Sequence, residues 1–118
     1  GGLNQPPEDN TMLDAYPVTL QIIRSLARLV DEIAKHDRDL ADQIKRAINS
    51  VLLNLNEGRK NRGGNQSRFF AYASGSNSEV RAALDAAEAW QWVQVPADVK
   101  ALLDRNAAML WRLSHPRA

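Results

Sequence analysis

The feature that most constrains this chain is the spacing of its apolar residues, which recur every three or four positions. Val18, Ile22, Leu26, Leu29 and Ile33 step by four, four, three and four, so they share one face of a helix turning every 3.6 residues. Leu40, Ile44, Ala47, Ile48, Val51 and Leu55 share a second face. Phe69, Ala73, Ser76, Val80, Ala83, Ala87 and Trp90 alternate fours and threes, a near-heptad pattern suited to a shallow crossing angle. Val99, Leu102, Leu103, Asn106, Leu110 and Leu113 give a fourth stripe, and no run shows the period of two that a half-buried strand needs.

Punctuation residues set the boundaries. Pro17 suits a first helical turn. Asp37 or Asp39 can cap the next helix. Gly58 stands where a glycine would relieve a left-handed C-terminal cap. The stretch 58–66 holds three glycines, two asparagines and three cations and reads as a loop. Pro96 and Pro116 mark two further breaks. The predicted helices are 15–36, 40–57, 66–94 and 97–113, after a flexible tail over 1–14. The expected fold class is all-α, an antiparallel up-down-up-down four-helix bundle over 15–115. A chain of 118 residues can bury one such core without metal or disulfide.

The inventory excludes much chemistry. With no cysteine, a disulfide framework, a thiolate zinc site and a cysteine nucleophile all fall away, which fits a reducing compartment. No apolar run nears the roughly 18 residues that span a bilayer, and no stretch has the order of a signal peptide. The expected location is the cytoplasm, with no membrane partner. The two histidines, His36 and His115, each sit near a helix end, where the solvent or the helix dipole is the usual partner. A di-iron bundle needs Glu and His three apart on two helices, whereas Glu32 and His36 are four apart and have no second copy. Arg62-Gly63-Gly64-Asn65 lacks the lysine and spacing of a phosphate loop. Glu79, Asp85 and Glu88 fall on different sides of the third helix. The expectation is a non-enzyme with no catalytic residue, no metal and no cofactor.

Charge is unevenly spread. Between Gln43 and Ser78 there are six basic residues, Lys45, Arg46, Arg59, Lys60, Arg62 and Arg68, against one acid, Glu57. That segment carries +5 in a chain of net +1, which leaves −4 for the rest. It reads either as a solvated loop with its flanks or as a phosphate-binding patch.

A polar line runs beside the second apolar face. Gln43, Arg46, Ser50, Asn54 and Glu57 step by threes and fours, as do Arg68, Tyr72, Gly75 and Glu79 on the third helix. Folding these helices antiparallel pairs Glu57 with Arg68, Asn54 with Tyr72, Ser50 with Gly75 and Arg46 with Glu79. One alignment satisfies all four, because each pair of numbers sums to 125 or 126. The expectation is a semi-buried seam that fixes register and keeps Arg46 occupied; lining of a catalytic pocket is the other reading.

Two stretches carry a resemblance. The first is Asp42-Gln43-Ile44-Lys45-Arg46-Ala47, then Ser50-Val51, then Asn54-Leu55-Asn56-Glu57-Gly58; the second is Arg68-Phe69, Ala73, Gly75-Ser76 and Ser78-Glu79. Together they resemble the bacterial four-helix-bundle proteins named for 23S ribosomal RNA intervening sequences, well over about 40–90 and by length and pattern outside it. The resemblance implies a bundle that assembles as a ring, usually a pentamer. It extends to the accessory variability proteins of diversity-generating retroelements, basic rings that bind nucleic acid and a reverse transcriptase. The chain departs from the family pattern at Leu52, where a proline is common, in its asparagine- and glycine-rich loop, and in its short last helix.

Leu53, Phe70, Trp92 and Trp111 fall outside the expected core and are candidate oligomer contacts. Two functions are carried forward. One is an oligomeric module for structured RNA or other nucleic acid, with phosphate contacts from Lys45, Arg59, Lys60, Arg62 and Arg81. The other is a scaffold for a protein partner, a reverse transcriptase or another bacterial protein, with no physiological nucleic acid.

Overall fold

The structure is a computed structural model that describes residues 11–117. Four helices follow one another, α1 (Thr11–Ala34), α2 (Arg38–Lys60), α3 (Gly63–Ala89) and α4 (Ala97–Ser114), and no strand occurs among the described residues. The connections are too short to run back along a helix. Even the longest, 90–96, spans at most about 25 Å, against roughly 40 Å for α3. Each helix must therefore run antiparallel to the one before it, as the cross-links attest. Ser50 faces Ser76 while Gly58 meets Gln66; Asn77 reaches Leu103 while Glu88 reaches Lys100. This is the expected four-helix bundle.

Asp37 is the N-cap of α2, its carboxylate accepting the Leu40 N–H at 2.9 Å. The α2–α3 connection is far shorter than the loop read from 58–66, for only Asn61 and Arg62 lie outside helix. Gly58 is not a left-handed cap but a buried residue inside α2. The helix continues to Lys60 because its exposed backbone ends find local partners. The Asn61 N–H donates to Gly58 O, Asn61 Nδ2 to Glu57 O, and Gln66 Nε2 to both Gly58 O and Asn61 O. Gly63, at φ +59, makes the turn into α3.

At the other boundaries α1 begins at Thr11, so Pro17 lies inside it, and α3 stops at Ala89 instead of 94. Gln91 takes a positive φ of 66, and residues 90–96 form the last connection. Of the tail expected over 1–14, residues 11–14 are helical and 1–10 lie outside the described residues.

The core is built from Ile22, Leu26, Ile33, Ile44, Val51, Leu55, Val80, Leu84, Leu103 and Leu110. The α3 stripe differs from expectation. Phe70, Asn77 and Leu84 are buried, while Phe69 and Ser76 are half-buried and Trp90 is exposed. Phe70, expected on the outer side as an oligomer contact, is only 2% exposed.

A polar cluster crosses the middle of the bundle. Asn106 Nδ2 donates to Thr19 Oγ1 at 3.1 Å and to Asn77 Oδ1 at 3.2 Å. Asn77 Nδ2 donates to Leu103 O, and Thr19 Oγ1 to Ala15 O. Asn106 Oδ1 is buried without a partner.

Candidate nucleic-acid interface

The antiparallel topology gathers at one end the start of α1, the α2–α3 turn and the finish of α4. Six cations lie there: Arg59, Lys60, Arg62, Arg68, Arg112 and Arg117, all exposed. Of the fourteen acids, Glu8 and Asp9 lie outside the described residues, and only Asp14 and Glu57 fall in this half. The ten others sit toward the opposite end.

Ion pairing follows the same division. Every ion pair among the described residues lies in the opposite half: Lys35–Glu32, Lys45–Asp42, Arg81 with Asp85 and Asp104, and Lys100–Glu88. Among the described residues the six cations of the basic end have no acidic partner. Arg59 donates to Asn56 Oδ1 and lies 5.0 Å from the Tyr16 ring centroid, and Arg68 donates to Asn65 Oδ1. These neutral partners orient the guanidiniums without cancelling their charge.

Of the expected phosphate contacts, Arg59, Lys60 and Arg62 come together here. Lys45 does not; it lies in the other half with its ammonium 3.5 Å from Asp42. Arg81 is also elsewhere, held between Asp85 and Asp104 and donating to Lys100 O. Arg68, counted in the basic segment but expected in the seam, joins the cluster, as do Arg112 and Arg117, which were not among the expected contacts. The signal for the last two was available, because the C-terminus of the fourth helix must return to the end that holds the second turn.

The polar seam is only partly made. Ser76 Oγ donates to Ser50 Oγ at 2.9 Å, and Asn54 Nδ2 donates to the same oxygen at 3.0 Å. The partner of Ser50 is thus Ser76, while Gly75 faces solvent. The charged pairs Arg46–Glu79 and Glu57–Arg68 do not form; all four residues are exposed, as is Tyr72. Water solvates such charges at little cost, so nothing drives them into contact. Arg46 is consequently free and not held inside the protein.

Aromatic groups mark both ends. At the basic end Trp111, 58% exposed, stacks on His115 with ring centroids 4.2 Å apart. At the acidic end Trp92 is half-buried between His36 and Trp90, with centroids 5.5 and 5.7 Å away. Trp92 therefore packs onto the bundle and not on an outer helix face as expected, and Trp90 is the exposed member at 68%. Leu53 is 64% exposed.

Glu88 organises the α3–α4 connection. Its carboxylate accepts from Lys100 Nζ and from the Val95 N–H, each at 2.9 Å. The Lys100 hydrogen bond, then that of Val95, holds its pKa below the ordinary carboxylate value, against an opposing effect of burial. No group of three or more metal-ligating side chains occurs among the described residues, and no helix there is long and apolar enough to cross a membrane.

A family model described as 23S rRNA-intervening sequence protein matches residues 11–112. No curated protein and no solved structure matches the chain.

Proposed function

The chain belongs to the 23S rRNA-intervening sequence protein family, and we propose from that premise that it is a non-enzymatic, homo-oligomeric bundle of the cytoplasm that binds structured RNA or other nucleic acid through its basic end. One observation carries this reading: six exposed cations collect where only two described acids lie, and none is spent on an ion pair among the described residues. A surface of that kind attracts a polyanion by releasing its counterions. Phosphate contacts from arginine forks position a nucleic acid without reading its sequence.

Oligomerisation is supported by large apolar groups left outside the core. Leu53 and Tyr72 are 64% and 54% exposed, and they lie at the same level of the α2–α3 pair. Exposed groups of this size on a small chain favour a protein interface. A ring, with the pentamer favoured, would repeat the basic end and add weak sites by avidity.

The test is a titration of RNA at several salt concentrations. The expected result is a log affinity that falls linearly and steeply with log salt. Tight binding indifferent to salt sinks the reading. A second reading is a scaffold for a reverse transcriptase or other protein, and the exposed Trp90 at the acidic end favours it. Copurification with a stoichiometric protein and no absorbance excess at 260 nm would select that alternative.

A further inference from the structure

Beside the cations of the basic end lies a cleft of about 640 Å³, walled by Gln66 and Phe70 of α3 and by Trp111, Arg112, His115 and Arg117 at the finish of α4. Its size is in the range that holds a small organic ligand, roughly 300–1,000 Å³. The walls combine three kinds of chemistry, an aromatic plane, two guanidiniums and a pinned amide.

The aromatic plane is built, not incidental. His115 Nδ1 lies 2.8 Å from the Trp111 carbonyl oxygen, which only accepts, so the ring proton sits on Nδ1 and points at it. Ser114 Oγ donates to the same carbonyl. These bonds hold the imidazole over the indole, 16° from parallel. One indole face is thereby covered, yet Trp111 remains 58% exposed. Gln66 is fixed on the opposite wall by two hydrogen bonds from Nε2, to Gly58 O of α2 and to Asn61 O of the α2–α3 turn.

We infer that this cleft takes an unpaired nucleotide, whose base stacks on the Trp111–His115 plane while its phosphates meet Arg112 and Arg117. The inference rests on the reading of the basic end as a nucleic-acid surface and adds which part of the nucleic acid enters. Bases within a duplex have both faces covered by neighbours and cannot lie on an indole. An unpaired base in a loop, bulge or end can, and stacking of this kind tolerates any base.

The experiment uses the full chain and three probes: a short RNA strand of mixed sequence, the DNA strand of the same sequence, and the duplex of the RNA with its complement. The expected result is that the intact protein prefers the single strands. Trp111→Ala weakens single-strand binding about tenfold, the equivalent of about 1.4 kcal/mol of stacking, and leaves the duplex unaffected. Trp111→Phe retains most of the preference, and tryptophan quenching on adding single strand disappears in Trp111→Ala. A preference for RNA over DNA strands assigns the source of the base. Thermal melting of the variants checks that the exposed position has not disturbed the fold. Equal weakening of strand and duplex, or none, overturns the cleft while leaving the basic end intact as a phosphate surface. Binding of no probe removes both.

Discussion

Gly58 of α2 lies directly against the ring of Phe70 of α3. A Cβ placed on Gly58 would come within 2.6 Å of Phe70 Cδ1 and nearer still to Cε1. The backbone of one helix thus forms the floor under an aromatic ring from the other. The absence of a side chain at residue 58 lets the two helices meet where their connection is shortest.

Gly58→Ala is therefore expected to destabilise the protein by about 1–3 kcal/mol, because a ring this deeply buried has little room to shift. Helix propensity alone predicts the reverse, a gain of about 1 kcal/mol. Chemical denaturation decides between them, and Gly58→Ala combined with Phe70→Leu should recover part of the loss.

Gly75 supplies the control. It is exposed in the middle of α3, and a Cβ there meets nothing within 4 Å. Gly75→Ala should stabilise by about 0.5–1 kcal/mol through the unfolded chain's lost freedom and the better helix former. A lowered midpoint for this variant would show that residue 75 has a neighbour in solution.

The Asn77–Asn106 pair should behave non-additively. Replacing Asn106 alone by valine removes one orphaned acceptor, its own Oδ1, and creates another at Asn77 Oδ1. The single change is expected to stay within about 1 kcal/mol of the parent. Replacing both by valine removes both orphans and should stabilise by about 1–3 kcal/mol. A double-mutant cycle measures the coupling; a double variant less stable than either single one contradicts this account.

Glu88 sets a pH dependence at the acidic end. Its folded pKa lies below the unfolded value, so its contribution is fully present above the ordinary carboxylate range and fades as pH falls through the lowered value. Glu88→Gln should melt below the parent at neutral pH, and the gap should close in acid. A gap independent of pH would mean that the Lys100 pair contributes nothing.

The basic end makes a further prediction through its salt response. Arg62→Ala and Arg112→Ala should each weaken nucleic-acid binding across sequences and lower the salt slope by roughly one. Lys45→Ala and Arg81→Ala, already compensated by acids in the other half, should change it little. Equal slopes for all four variants would disperse the site over the whole surface.

Three helices were legible from spacing because leucine, isoleucine and valine mark their faces without ambiguity: Ile22, Leu26 and Ile33, then Ile44 and Val51, then Leu103 and Leu110. Helix α3 was not, and the reason is its alanines. Ala73, Val80, Ala83 and Ala87 belong to the expected stripe and to the observed one, so the choice fell between 69 and 76 on one side and 70, 77 and 84 on the other. Phenylalanine stood at both 69 and 70, and an asparagine at 77 argued for the surface. It is buried because Asn106 and the Leu103 carbonyl satisfy it, partners on another helix that local periodicity cannot reveal. The loop around 58–66 misled for a similar reason: Gly58 answers a tertiary contact, not a backbone turn. At the basic end Arg59, Lys60 and Arg62 were adjacent in sequence and easily seen. Arg112 and Arg117 required the topology first.

The Asn61–Arg62 turn is stitched to both helices by four hydrogen bonds. Arg62, with Arg59 and Lys60 at the adjoining end of α2, is consequently mounted on a stiff corner, with little backbone freedom left to surrender when a polyanion arrives. Most flexible basic tails pay an ordering cost at that moment. A ligand meeting this corner keeps nearly all the electrostatic gain, so lengthening the turn with glycines would weaken association without removing a single charge.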